Sequence, residues 1–281
     1  MLNEPQDHQP QRVHPLERAP QAVDPAEVRD EQQQQVMLHI PVVKPYVTIA
    51  LIVVNLIIFA VGQFSATLGQ RFILDGANNQ LRVIVDGEYL RLLFAMFLHG
   101  SLSHIFINMY SLYVIGSTLE SLFGHVRFAL IYFLGGLTGS IVSVLFNPPM
   151  VNSVGASGAV FAIFGAQLVY LYQHRKLLGA GGRRQFRNLL VIAVMNLAVG
   201  ILSSLGAGTV RIDNWGHIGG LIGGVALTWY IGPLFLLRRH PQREGAFLAE
   251  DVNPLAKRSS VISVYSALLI AILIAATFVM R

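Results

Sequence analysis

The sequence predicts an all-α polytopic membrane protein, a bundle of seven transmembrane helices, and three observations carry that prediction. Of 281 residues, 53% are hydrophobic and only 12% charged, with a mean hydropathy of +0.55, far more apolar than a soluble domain of this length. Seven apolar segments approach the roughly 20 residues a helix needs to cross a hydrocarbon core. The basic residues fall in short blocks between those segments, where they set membrane orientation. The formal net charge of +5 is therefore read as topology, not as a nucleic-acid surface, and no nucleic-acid motif is visible. With no cysteine, disulfides, thiol nucleophiles and cysteine-based zinc sites are excluded.

Residues 1–45 are rich in Gln and Pro, with mixed charge and the run Gln32 to Gln35. Such a composition buries too little apolar surface to offset ordering, so a disordered cytoplasmic tail is expected. It has neither the basic start and apolar core of a secretory signal nor the acid-poor character of a mitochondrial presequence. The seven segments follow at about 47–64, 102–123, 128–146, 155–172, 189–206, 215–237 and 261–280. Between the first two lies a long stretch, 65–101, containing Asp75, Asp86, Glu88, Arg91 and a seven-residue apolar piece, Leu92 to Leu98. That piece is too short to span and is expected to lie at the interface or dip into the outer part of the protein.

Orientation follows from two basic blocks. His174, Arg175, Lys176, Arg183, Arg184 and Arg187 join the fourth and fifth segments; Arg238, Arg239, Arg243, Lys257 and Arg258 join the sixth and seventh. Both are cytoplasmic by the positive-inside rule, which puts the N-terminus inside. The second, fourth and sixth helices then run in one direction and all begin on the external side. Their polar starts can meet: His104 and Asn108 on the second, Ser157 on the fourth, and Asn214-Trp215-Gly216-His217 on the sixth.

Polar side chains are costly in a membrane and usually have a partner or a task. A serine hydroxyl becomes a nucleophile when a base within reach takes its proton, and histidine suits that role; His217 is the candidate base for Ser157. Gly216, Gly220 and Gly224 recur every fourth residue, as do Gly158, Ala162 and Ala166. Small residues at this spacing let helix backbones approach closely, which could bring Ser157 to His217. The Ser157 amide at a helix start and the side chains of His104 and Asn108 could serve a developing oxyanion.

Each residue also has a plainer reading. A serine between glycines at a helix start is commonly an N-cap, and a membrane histidine or asparagine commonly satisfies a neighbouring helix. Asp213 could be a third triad member, but its position just outside the helix favours capping. His99, His104 and His217 could form a three-histidine metal site, though no carboxylate is placed to assist; no metal is expected. The coincidence of serine, base and donors at one depth favours acyl transfer.

These residues resemble those of the rhomboid intramembrane serine proteases. The resemblance covers residues 45–237 and rests on His99-x4-His104-x3-Asn108, on Gly155-Ala156-Ser157-Gly158, and on His217 followed by its glycines; Gly116 and Glu120 also fit. It implies a six-helix catalytic core (46–237), a cytoplasmic basic linker (238–260) and an added seventh helix (261–281). It further implies a Ser157–His217 dyad without aspartate, oxyanion donors from His104, Asn108 and the Ser157 amide, and supporting roles for His99, Gly155, Gly158, Gly216, Gly220, Gly224 and Arg91. Cleavage of membrane-anchored proteins in or near a transmembrane segment would follow, with no cofactor and the lipid bilayer as surroundings. The family's usual Trp-Arg pair reads Leu90-Arg91 here, and Phe161 stands one turn after the serine, where some members have tyrosine.

The expected location is a bacterial plasma membrane, with the active site opening externally. Two rivals stand beside proteolysis. One is an inactive relative that binds membrane clients; such relatives typically lose the serine or histidine or place proline before the serine, whereas this chain has Ala156 there. The other is a transporter, disfavoured because paired interrupted helices are missing from the pattern.

Overall fold

The structure is a computed structural model that describes residues 37–39, 41–203, 212–239 and 246–280. Helices dominate it. Tyr46–Phe64 forms α1 and Ala66–Gly76 forms α2. A short helix, α3 (Arg91–Phe94), continues as a tighter turn through Phe97. Then come α4 (Leu102–Ser111), a wide turn over Leu112–Gly116, and α5 (Ser117–Phe123). The remaining helices are α6 (His125–Phe146), α7 (Ser157–Gln173), α8 (Arg175–Leu202), α9 (Asn214–Ile231) and α10 (Ser259–Met280).

Among the described residues, four helices are long and apolar enough to cross a membrane: α1, α6, α8 and the one ending at Met280; a fifth counts if the pair 91–97 and 102–123, bent by 93°, is one span. With exposed apolar flanks on α1, α8 and α10, this is an integral membrane protein. The expected seven-span count is finer than helix length and apolarity support: α7 has 17 residues, and α9, with 18, carries Asn214, His217 and five glycines.

The core is a sandwich of α6, α7 and α9. Almost every residue of α7 from Ala159 to Leu171 is buried, which suits a helix surrounded by others. Glycine sets the spacing. A Cβ on Gly220 would lie 2.0 Å from the Gly158 carbonyl oxygen, and one on Gly224 would lie 1.9 Å from that of Ala162. On the other side, a Cβ on Gly139 would fall 2.6 Å from the Gly216 oxygen, and one on Gly135 2.4 Å from the Ala162 Cβ. No side chain fits at these points, so backbones touch directly.

Glu120, fully buried, pins α1 to α5. Its carboxylate accepts from the Val47 and Thr48 amides at 2.8 and 2.7 Å, from Thr48 Oγ1 at 2.6 Å, and pairs with His125 Nδ1 at 2.6 Å. It thereby serves the otherwise unpaired first turn of a membrane helix.

Several boundaries differ from the sequence reading. The sixth apolar segment was expected to reach residue 237, but α9 ends at Ile231. Pro233 follows, and Gly232 before it is extended (φ −61°, ψ 149°), as the proline ring requires of its predecessor. Phe235–Arg239 is instead strand β2, antiparallel to β3 (Ala246–Asp251), with Phe235 opposite Asp251. Met37–His39, within the stretch read as tail, forms β1 parallel to β3, giving the order β1-β3-β2. Most of the rest of that stretch lies outside the described residues. The basic block after α7 is helical, being the start of α8, with a break at Gly179 (φ 55°, ψ −138°). The piece Leu92–Leu98 packs on the bundle, with Leu92, Ala95 and Met96 buried.

Candidate active site

The segment leading into α7 is tied down from three sides. Ser153 exchanges backbone hydrogen bonds with Asn78 at 2.9 and 2.8 Å. The Gly155 amide donates to the Ala95 carbonyl at 2.8 Å, and the Ala156 amide donates to His99 Nε2 at 3.5 Å. Gly155 has φ +130°, and a Cβ there would sit 2.7 Å from His104 Nε2. Only glycine meets both demands. The same point lies 3.7 Å from Ser157 Oγ, so the His104 ring and the serine hydroxyl converge beside Gly155.

Ser157 is the first residue of α7; the capping position is Ala156, which supplies no side-chain bond. The hydroxyl is therefore not an N-cap. Among the described residues, the Ser157 amide has no protein acceptor.

His217 sits one turn into α9 and is 7% exposed. Its ring stacks on Phe161, one turn along α7 from Ser157, with centroids 4.3 Å apart and planes 10° apart. Its Nδ1 is enclosed without a partner. Gly216 and Gly220, flanking His217, press against Gly158, next to Ser157. No hydrogen bond joins Ser157 to His217 among the described residues, and such contacts are often loose before substrate binds.

His99 and His104 pack edge to face, centroids 5.0 Å apart. Asn108 is buried and donates one Nδ2 hydrogen to the His104 carbonyl at 3.1 Å, within its own helix; its second N–H has no acceptor among the described residues. Arg91 lies farther off, buried beneath the stretch before α4. It pairs with Glu88 and donates to the carbonyls of Leu74 (2.7 Å) and Ala77 (3.2 Å), while Leu90 points outward, 66% exposed.

Asp213 has the capping role. It accepts from the Gly216 amide at 2.9 Å, Asn147 Nδ2 at 2.8 Å, Ser143 Oγ at 2.6 Å and Ser153 Oγ. With four donors engaged, it anchors the start of α9 to α6 and to the segment before Ser157. A cavity of about 20 Å³ lined by Asn78, Ser140, Ser153, Gly155, Gly158 and Asp213 lies behind the serine, room for about one water. No three of His, Asp and Glu converge to hold a metal ion among the described residues.

The contribution of α6 escaped the sequence reading. Its signal was present as Gly135, Gly136 and Gly139, close to the four-residue spacing seen on α9. The roles of Ser143 and Ser153 carry no such signal, because single serines are too common to single out.

Residues 86–234, more than half the chain, match the family model described as Rhomboid domain. This chain belongs to the rhomboid family. Among curated rhomboids it is 37% identical over 183 residues to the rhomboid protease GluP of Bacillus subtilis, covering 64% of this chain and 34% of that protein. It is 36% identical over 167 residues to RHOMBOID-like protein 6, mitochondrial, of Arabidopsis thaliana (59% and 50%). It is 39% identical over 163 residues to RHOMBOID-like protein 1 of the same plant (58% and 39%). This rhomboid thus spans half or less of the length of these relatives.

Proposed function

We propose that this rhomboid is an intramembrane serine endopeptidase that cleaves membrane-anchored proteins in or near their transmembrane segments. The observation that carries this reading is the backbone contact of Gly158 with Gly216 and Gly220, which holds the helices of Ser157 and His217 together at the residues themselves. In the proposed mechanism, Ser157 Oγ attacks the scissile carbonyl while His217 accepts its proton. His217 then returns the proton to the departing amine, and water releases the acyl group by the same route. With Nδ1 enclosed, Nε2 is the nitrogen left for this exchange. The oxyanion accepts hydrogen bonds from the Ser157 amide, from His104 and from the free N–H of Asn108. His99 holds the Ala156 amide, and Arg91 fixes the preceding stretch.

The proposed topology has seven membrane helices, the bent 91–123 unit, α7 and α9 included. The N-terminus and the residues 238–260 are cytoplasmic, and the site opens externally in a plasma membrane. The first test is cleavage of a model transmembrane substrate by purified protein. Ser157→Ala and His217→Ala are each expected to lose on the order of 10³-fold or more in rate without loss of folded protein. Equal cutting by wild type and both variants would sink the dyad, and wild type that binds substrate without cutting would point to the client-binding relative. Acidification on the external side is expected to lower the rate as His217 protonates; a flat acidic limb would remove His217 as the base.

A further inference from the structure

The inner end of α7 carries a histidine that the proposed chemistry does not use. His174 follows directly after the helix and is 4% exposed. Nδ1 lies 2.9 Å from the Tyr170 carbonyl, and the Phe235 amide donates to Nε2 at 3.0 Å. A carbonyl can only accept and an amide N–H can only donate, so the ring is held as the neutral Nδ1–H tautomer. The rings of Tyr170 and Phe235 pack on it, with centroids 4.3 and 5.7 Å away.

Phe235 is the first residue of β2, so His174 ties the serine-bearing helix to the hairpin. The hairpin in turn grips the other helices. Asp251 of β3 pairs with Arg127 of α6 at 2.7 Å. Asn253 donates to the carbonyls of Tyr230 and Gly232 at the end of α9, at 3.0 and 2.7 Å, and accepts from Arg258, just before α10, at 2.6 Å.

We propose that His174 is a cytoplasmic proton sensor, whose protonation releases the hairpin from the inner end of α7 and lowers activity at Ser157. A proton on Nε2 would set N–H against the Phe235 N–H and remove that bond. Burial holds the imidazole below its ordinary pKa, partly offset by the Tyr170 carbonyl and by the negative charge of Asp251. The sign follows: a lowered folded-state value means the contact is intact above the ordinary histidine range and weakens as pH falls below it. The charged groups around the ring are Asp251 from β3, Arg127 from α6 paired with it, and Arg175, whose guanidinium lies 4.4 Å over the Tyr172 ring. The two arginines carry no acceptor for the Phe235 amide, and both oxygens of Asp251 are already engaged, one by Leu234 and Asn253 and the other by Arg127.

This inference rests on the proposed protease reading and its topology, in which the dyad faces outside and His174 the cytoplasm. The two histidines can then be titrated separately. Full-length protein is oriented in liposomes and assayed on a transmembrane substrate with external pH held near 7.5 while internal pH is lowered from about 7.5 to about 5.5. Wild type is expected to slow by at least about threefold. His174→Gln, whose amide oxygen can still accept from Phe235 but does not titrate, is expected to match wild type at neutral pH and to ignore internal pH. Equal internal-pH sensitivity in wild type and His174→Gln, or none in wild type, would overturn the proposal. Amide exchange of wild type is read in parallel: protection at Phe235 should fall on acidification, after correction for intrinsic rate, and unchanged protection would also overturn it. The exchange measurement needs no catalysis, so it separates this proposal from the dyad; persistence of cleavage in Ser157→Ala would remove only the latter.

Discussion

The two ends of α7 are built on opposite terms. At the end next to Ser157, polar atoms are left free among the described residues: Nδ1 of the buried His217 lacks a partner, and the Ser157 amide has no acceptor. At the opposite end, both nitrogens of His174 are engaged and Asp251 accepts from Arg127, Leu234 and Asn253. An unpaired buried polar atom costs about 1–3 kcal/mol. Gln173 Oε1 and Arg127 Nε are also unpaired near the His174 end, so the contrast lies in the two histidines: His217 carries such a cost and His174 does not. That pattern suits a site held open for substrate at one end and a fastening at the other.

Substitution can break this contrast at either end. The largest effect is expected at Gly220→Val. Its side chain would start 2.0 Å from the Gly158 oxygen, so α7 and α9 must part. Loss of most folded protein and of all activity is expected, read by thermal unfolding in detergent and by cleavage. An intact variant would show that the glycine contact does not determine the site. Asp251→Asn should come next. It leaves Arg127, 9% exposed in its side chain, without its counter-charge, at a cost of about 3 kcal/mol, the low end for a buried pair because Asp251 is partly exposed. Unfolding should shift down while the rate per folded molecule at neutral pH changes little; a rate loss without a stability loss would place Asp251 in the reaction instead. The smallest effect is expected at Phe161→Leu, which removes the ring stacked on His217. The stacking is worth about 0.5–1.5 kcal/mol, so turnover should fall by roughly threefold to tenfold with KM nearly unchanged. A larger rise in KM than fall in turnover would assign Phe161 to substrate contact.

Much of the Ser157 end of α7 was legible in the sequence. His104, Asn108, Ser157 and His217 stand at the starts of like-directed helices, and the spacing of Gly216, Gly220 and Gly224 marked the seam. The His174 end was not. His174 reads as one more residue in a basic block, and its partner Phe235 lies 61 positions away on a strand hidden in what looked like the end of a helix. Asp213 lay between these cases. Its place before α9 pointed to a cap, but its further bonds to Ser143, Asn147 and Ser153 reach 60 to 70 residues back along the chain.

By itself the sequence determined that the chain is helical and membrane-embedded, which helix starts are polar, and where backbones can approach. These follow from hydropathy, charge and glycine spacing, all local properties. Only the tertiary structure decided that α6 closes the core, that Ser157 is free of capping duty, and that the serine helix is fastened to a three-stranded sheet at its C-terminal end. Those outcomes depend on which distant groups meet and which polar atoms are left over, and a buried hydrogen bond leaves no mark in local periodicity.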